Sequence, residues 1–229
     1  MDSTKKQARV AGFLYLVVSL PGFFCLMYIP SHFIVSGDAA ATASKIAASE
    51  FLFRLGIVSE LIGFTGFIFV VRALYRLLFA VNKPLASLML TLMLVSIPIS
   101  LLNVLNETAA LTLVRGPNYL SAFDKPQRDA LAMLFLHLHF DGIVVAQIFW
   151  GLWLVPFGVL VYKSGFLPRI LGVLLMVACF GYLANSLAAL GVLSHGVSRI
   201  VGQLTICELP IILWLLIMGA KDQPLGAPA

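Results

Sequence analysis

The sequence predicts an all-α protein, a polytopic membrane helix bundle of about six transmembrane helices with both termini in the cytoplasm. Two observations carry this prediction. Apolar residues make up 61% of the chain and charged residues only 11%, whereas soluble domains average about 45–50% apolar and about 25% charged. The apolar residues are also gathered into six long runs. So few charges cannot cover so much apolar surface in water, and a bilayer must therefore supply part of the solvent.

Each apolar run is long enough to cross about 30 Å of hydrocarbon at about 1.5 Å per residue. We therefore predict one integral membrane domain over the whole chain, residues 1–229, with no separate soluble domain. The third and fourth runs exceed the required length and should tilt or project from the membrane. Pro98, Pro156 and Pro210 lie inside runs, where they should kink the helices. The predicted helices cover residues 10–29, 55–74, 85–113, 131–161, 170–190 and 200–218.

The first helix follows Lys5, Lys6 and Arg9, an arrangement that a signal peptide shares. Its apolar run of about 20 residues is long enough to span the membrane, and no small-residue cleavage site follows, so we expect a retained helix. After it, Asp38 precedes an alanine-rich stretch and should cap a short surface helix over 39–50. Between the third and fourth helices, the segment 116–118 (GPN) predicts a turn.

Lysine and arginine residues at the ends of the runs predict the orientation. They are more numerous on the side of the N-terminus, where the connections 72–83 and 163–169 are short and purely basic. The positive-inside rule places that side in the cytoplasm. The net charge of +5 is thereby explained by topology. No basic module lies outside the runs, so we expect the lipid bilayer as the partner and no nucleic acid.

Polar and ionisable residues inside membrane segments are costly, which makes them the first candidates for function. In the predicted orientation, all of them lie in the outer halves of their helices. We therefore expect them to form a polar pocket that is open to the outside and binds a small-molecule or lipid-like ligand. Arg54 is its predicted charge partner. The candidate pocket residues are Glu60, Asn103, Glu107, His137, His139, Asp141, Asn185 and Glu208.

Helical spacing sorts these residues by face, since residues three or four apart share one side of a helix. His137 and Asp141 share a face of the fourth helix, whereas His139 points to the opposite side. That helix alone therefore cannot supply three ligands to one metal ion. The spacing matches no known metal motif, and the candidates for a metal, if one binds, are His137, Asp141 and Glu208.

Two further patterns concern packing. A polar stripe on the third helix, which should avoid lipid, consists of Ser96, Ser100, Asn103 and Glu107. Cys25, Cys179 and Cys207 lie inside apolar runs and form no CxxC pair, so we interpret them as packing residues.

A short motif also occurs twice, in the first and fifth helices. Phe13-x-Tyr15-Leu16-x-x-Ser19-Leu20 matches Phe180-x-Tyr182-Leu183-x-x-Ser186-Leu187. Both helices would run outward. Internal symmetry is frequent in transporters; the alternative is a chance similarity between two apolar segments.

Several segments together resemble a known family. They are 8–16 (ARVAGFLYL), 37–43 (GDAAATA), 48–56 (ASEFLFRLG), 164–172 (SGFLPRILG), Glu208-Leu209 and 213–216 (LWLL). This combination resembles the bacterial multi-pass membrane family catalogued as domain of unknown function 4386. That family has a Leu-His pair followed by Gly in helix four, which matches Leu138-His139 and Gly142. It often has Asp two residues before that histidine, where this sequence has His137.

The resemblance implies a multi-pass protein of a bacterial inner membrane and implies no reaction. The cofactor stays undetermined from the sequence, and three functions remain open. The first is binding or transport of a small or amphiphilic molecule, with proton coupling through the buried carboxyl groups. The second is a structural or regulatory membrane subunit in which polar residues only hold helices together. The third is a membrane-embedded, metal-dependent hydrolase of lipid-linked substrates.

Overall fold

The computed structural model describes residues 3–221, and within that range every regular element is a helix. Six helices are long and apolar enough to cross a membrane. This confirms the predicted all-α, multi-pass class. The helices are α1 (Thr4–Phe33), α3 (Glu50–Leu78), α4 (Lys83–Arg115), α5 (Lys125–Lys163), α6 (Arg169–Ala189) and α7 (Gly196–Ile217), with the short α2 (Ala39–Ala48) between the first two.

Most of these helices extend beyond the predicted spans. Hydropathy detects only the part of a helix that lies in hydrocarbon, whereas the hydrogen-bonded helix continues into the interfacial region and beyond. The predicted single domain also includes residues 1–2 and 222–229, which lie outside the described range.

The two predicted surface features are present. The Asp38 side chain accepts a hydrogen bond from the backbone N–H of Ala41 at 2.8 Å and so caps the N-terminus of α2. Gly116 adopts φ +59°, a conformation that glycine tolerates best, and ends α4 before the turn into α5. Local sequence chemistry therefore determines both connections.

Proline residues coincide with irregular backbone in three helices. In α5 the regular pattern is interrupted at Trp153, three residues before Pro156. In α7 a 3₁₀ stretch, Gly202–Glu208, leads into the segment that holds Pro210. In α1 a π-helical turn, Phe24–Tyr28, ends just before Pro30. Proline lacks an N–H and its ring collides with the carbonyl four residues earlier, so the regular ladder cannot pass through it unchanged. Pro98, in contrast, lies inside the continuous helix α4.

The chain divides into two compact units, and four of the long helices contribute a segment to each. The second unit consists of Val18–Thr65 and Ile99–Ile143. The first unit consists of the remaining described residues, 3–17, 66–98 and 144–221.

The first unit brings helices into direct backbone contact at small residues. A Cβ on Gly172 of α6 would lie 2.4 Å from the carbonyl oxygen of Gly158 in α5. Neither position therefore tolerates a larger side chain without moving a helix. Such contacts are typical of membrane bundles, where close packing replaces the hydrophobic effect as the force between helices.

The second unit has an aromatic and aliphatic core. Phe33 at the end of α1 and Phe53 in α3 are both buried and meet edge to face at 5.3 Å between ring centroids. Ile29, Ile46 and Leu136 pack into the same cluster. This core holds α1, α2, α3 and α5 together around the polar groups described next.

Candidate functional site

Two carboxylates and one imidazole meet inside the second unit. Glu60 of α3, Glu107 of α4 and His139 of α5 are all buried, and each offers a ligand atom within 4.8 Å of the other two. His139 Nε2 lies 3.5 Å from Glu60 Oε2 and 3.9 Å from Glu107 Oε1. The side chain of Glu60 is 0% exposed. We call Glu60, Glu107 and His139 the carboxylate–histidine cluster.

The carboxylates of this cluster lack ordinary partners. Among residues 3–221, no other residue donates a hydrogen bond to either oxygen of Glu60 or to Oε2 of Glu107, and the two carboxyl groups lie within hydrogen-bonding reach of each other. Within that range the basic group nearest to them is His139 Nε2, at 3.5 and 3.9 Å. A buried carboxylate without hydrogen bonds is strongly unfavourable unless a proton or a cation balances it. The cluster therefore has unused capacity to bind a positive charge.

Asn103 of α4 fixes the position of the histidine. Its Nδ2 donates to the backbone carbonyl of His139 at 2.8 Å and lies 3.2 Å from His139 Nδ1. Nδ1 is also 3.4 Å from the carbonyl oxygen of Asn103. These contacts occupy the Nδ1 side of the ring, so Nε2 is the nitrogen that faces the two carboxylates. An orienting partner on the second ring nitrogen is typical of histidines that bind metals.

Gly142 makes this contact possible. A Cβ at Gly142 would lie 2.0 Å from Asn103 Oδ1, so the Asn103 amide occupies the volume that a side chain would need. Asn106 Nδ2 in turn donates to Asn103 Oδ1 at 3.0 Å. Gly142 and Asn106 therefore fix the position of the Asn103 amide, and this amide in turn fixes His139.

A small cavity adjoins the cluster on its apolar side. Glu107 and His139 form part of its wall, and Pro30, Phe33 and Phe140 line the rest together with other apolar residues. Its volume, about 10 Å³, is close to the minimum that one water molecule requires. It can hold a water beside the cluster but no organic substrate.

Cys25 lies close to the same groups. It is buried within the π-helical turn of α1, in the same unit as the cluster. Its Sγ contacts the backbone carbonyl of Gly22 at 3.4 Å. The sequence indicated only a packing residue here, because nothing in an apolar run reveals a π turn or which face it presents.

Three other predicted residues lie outside the cluster. His137 and Asp141 are exposed on α5, on the side away from His139, as their helical spacing predicted. The Arg54 side chain, which was the predicted charge partner, is 45% exposed and ion-pairs with Glu50 at 2.6 Å. An i, i+4 acid on its own helix thus engages Arg54 at the surface.

Asn185 and Glu208 belong to the first unit. Asn185 Oδ1 accepts a hydrogen bond from Ser198 Oγ at 3.0 Å. Glu208 accepts hydrogen bonds from the hydroxyls of Tyr15 in α1 and Tyr182 in α6, the latter at 2.7 Å. The sequence analysis did not select these tyrosines as site residues. They are the equivalent tyrosines of the repeated motif, so that motif was the signal that could have revealed them.

The family model described as Domain of unknown function (DUF4386) matches residues 10–219. This chain belongs to that family. A search of curated proteins and a search of solved structures each found no match. Of the residues on which the resemblance partly rested, His139 and Gly142 lie at the carboxylate–histidine cluster of this DUF4386 protein, whereas Leu138 is exposed.

The chemistry open to this DUF4386 protein follows from its donor atoms. Carboxylate oxygen and imidazole nitrogen are ligands for Zn²⁺, Mn²⁺ and related divalent ions. Two carboxylates would neutralise a doubly charged ion, which matters in a membrane-spanning segment where a net charge is costly. The same groups can alternatively share protons.

Proposed function

We propose that this multi-pass membrane protein binds one divalent metal ion, such as Zn²⁺ or Mn²⁺, between Glu60, Glu107 and His139. One observation carries the proposal. Three buried ligand atoms from three different helices lie within 4.8 Å of one another, while three of the four carboxylate oxygens receive no hydrogen bond from any residue of the described chain outside the pair of carboxyl groups. A purely structural cluster would be expected to supply donors from neighbouring residues to those oxygens.

The distances support a metal more directly than they support an organic ligand. Tetrahedral ligands bonded to zinc at 2.0–2.2 Å lie roughly 3.3–3.6 Å from each other. The separations from His139 Nε2 to the two carboxylates are 3.5 and 3.9 Å. Small side-chain movements would bring these atoms to the separations of a zinc coordination shell. The cavity of about 10 Å³ leaves room for a water as the fourth ligand.

Metal analysis of the purified protein tests the proposal. We expect about one ion per chain after incubation with Zn²⁺ or Mn²⁺ and removal of excess metal. Glu60→Gln and His139→Gln should each weaken metal binding by about 100-fold or more. A residue that ligates the metal should contribute at least as much to affinity as a residue that only orients a ligand. His137→Gln and Asp141→Asn are matched controls on the exposed side of α5 and should bind as the wild type does. Absence of metal from the wild type, or equal losses in the controls, would contradict the proposal.

Ligand linkage gives a second measurement. An ion that binds only the folded protein adds about 2.7 kcal/mol at a free concentration about 100 times Kd. The melting temperature in detergent should therefore rise with added metal and fall again with a chelator. The Glu60→Gln protein should show no such shift. A rise of equal size in that variant would mean that the ion binds elsewhere.

We propose further that the protein lies in a bacterial inner membrane with both termini in the cytoplasm, which puts the cluster in the outer half of the membrane. The metal would then enter from the outside and serve binding or transport. Proteoliposomes loaded with a metal-sensitive dye test this step. Uptake that His139→Gln abolishes and His137→Gln preserves would support transport. Stoichiometric binding without uptake would restrict the role to a static metal centre.

A metal-dependent hydrolase is the second candidate, and the cavity beside Glu107 and His139 favours it. A water held there next to a bound metal could act as the nucleophile. Hydrolysis of a lipid phosphate or ester that requires added metal, and that Glu107→Gln abolishes, would establish this function. A metal-loaded protein without such activity across a panel of lipid esters would exclude it for that panel.

A further inference from the structure

A basic groove lies at the N-terminal end of α1, within the first unit. Its volume is about 520 Å³. Lys5, Lys6 and Arg9 supply cationic groups, and Val10, Phe13 and Ile217 supply apolar surface. These six residues define what we call the N-terminal groove. Each of them is exposed, Phe13 to 57% and Ile217 to 62%.

The fold builds the groove from the start of α1 and the end of α7. Arg9 Nη2 donates to the backbone carbonyl of Ile217 at 3.0 Å. Gly219, at φ +72°, ends α7 and donates its N–H to the carbonyl of Trp214 at 3.0 Å. A Cβ on Gly219 would lie 3.0 Å from Lys5 Cγ. The basic segment is thus held against the end of a neighbouring helix.

We infer that the N-terminal groove binds one anionic phospholipid. The lysine and arginine side chains face the phosphate, and the apolar surface of Val10, Phe13 and Ile217 accommodates the first part of an acyl chain. Basic pockets between transmembrane helices are known to recognise anionic headgroups in this way. This site goes beyond the proposed metal function, since it uses other residues in the other unit.

Charge and apolar surface together decide the class of ligand. A soluble phosphate would use the cations but not the exposed phenylalanine and isoleucine. A neutral phospholipid would use the apolar surface but gain nothing from the cations. Only an amphiphile with a negative headgroup engages both, and the three cations lie at the end of α1, a helix long and apolar enough to cross a membrane, where such headgroups are expected.

Lipid binding to the full-length protein in detergent tests the inference. Native mass spectrometry would compare short-chain phosphatidylglycerol with phosphatidylcholine, and would use glycerol 3-phosphate as a competitor. We expect phosphatidylglycerol to bind about tenfold or more tightly than phosphatidylcholine, with little competition from glycerol 3-phosphate. Lys5→Gln/Lys6→Gln should remove most of this preference, and Lys5→Arg/Lys6→Arg should keep it.

A matched control separates a built site from general attraction. Arg72→Gln/Arg76→Gln removes the same charge from exposed positions of α3 in the same unit and should leave the preference unchanged. Equal binding of the two lipids would overturn the inference. So would equal losses in the two double variants, or full displacement of the lipid by glycerol 3-phosphate, which would indicate a soluble phosphate instead.

Discussion

Asn103 and Gly142 form a supporting pair for His139. The Asn103 amide donates to the His139 carbonyl at 2.8 Å and fills the space where Gly142 lacks a side chain. The ring nitrogen that would bind a metal therefore depends on two residues that are not candidate ligands themselves. Residues at such supporting positions change affinity without supplying a ligand.

Replacement of Asn103 by leucine should weaken metal binding about 10- to 100-fold. Leucine has a similar volume but cannot donate to the His139 carbonyl or contact Nδ1, so the imidazole loses its fixed orientation. Titration of the purified variant with Zn²⁺, together with a size-exclusion profile that shows a folded protein, measures the effect. Wild-type affinity in a folded Asn103→Leu protein would mean that the amide does not position the histidine.

Gly142→Ala tests the same contact by steric means. The new Cβ would lie 2.0 Å from Asn103 Oδ1, so Asn103 or a helix must move. We expect a loss of about 1–3 kcal/mol in stability together with weaker metal binding. Gly22→Ala is the matched control in the same unit, because nothing lies within 4 Å of its added Cβ. Thermal melting in detergent compares the two, and equal effects would contradict the steric argument.

Which residues lie in the cluster was only partly predictable. Glu60, Glu107 and His139 stood out because polar groups are rare in apolar runs. Helical spacing separated His139 from His137, but it could not tell which of the two faces the protein interior. That choice depends on α3 and α4, which supply the carboxylates. The sequence of α5 alone does not indicate on which side α3 and α4 pack.

Three helices meet at Glu208 through tyrosine hydroxyls. Tyr15 in α1 and Tyr182 in α6 both donate to this carboxyl group of α7. Tyr15 also packs edge to face against Phe67, with 5.5 Å between ring centroids. Hydrogen bonds to a carboxyl group with aromatic packing around them hold these elements in register, which is the role that polar residues often have in membrane bundles.

Tyr182→Phe should therefore destabilise the protein by about 1–3 kcal/mol, because it leaves Glu208 Oε2 without this donor. Tyr119→Phe is the control, since Tyr119 is 75% exposed and should change stability little. Unfolding in detergent measures both. Metal binding at the carboxylate–histidine cluster should persist in the folded Tyr182→Phe protein; its loss would show that Tyr182 also supports the cluster.

The helices themselves were easier to predict than their irregularities. Six apolar runs identified six spans, and Asp38 correctly identified the short α2. The π turn at Phe24–Tyr28 and the 3₁₀ stretch at Gly202–Glu208 were not predicted. Hydropathy reports burial in lipid, not hydrogen-bond pattern. A proline shows where the α-helical hydrogen-bond pattern must change. Whether the backbone then forms a π turn or a 3₁₀ stretch depends on the neighbouring helices.

At the scale of the whole molecule, the predicted pocket residues are divided between the two units. Glu60, Asn103, Glu107 and His139 form one network in the second unit, whereas Asn185 and Glu208 have partners in the first. Their common depth along the helices was visible in the sequence. The depth of a residue along its helix does not determine which residues it contacts. Two residues at the same depth can face different neighbouring helices.

The orientation of the chain gives the last prediction, and single cysteines can test it. Ser121 lies in the exposed connection before α5, and Ala80 lies in the exposed connection between α3 and α4. With both termini in the cytoplasm, a membrane-impermeant thiol reagent should label Ser121→Cys in intact cells. It should label Ala80→Cys only after lysis. The wild type supplies the background, since Cys25, Cys179 and Cys207 all lie within helices α1, α6 and α7.

The result also determines from which side a metal would reach the cluster. Glu107 lies closer to the α4 end that carries the Ser121 connection than to the end at Ala80. Labelling of Ser121→Cys from outside would thus place the cluster in the outer half and require metal supply from outside the cell. The reverse pattern would invert the topology, contradict the positive-inside assignment and make the cytoplasm the source of the ion.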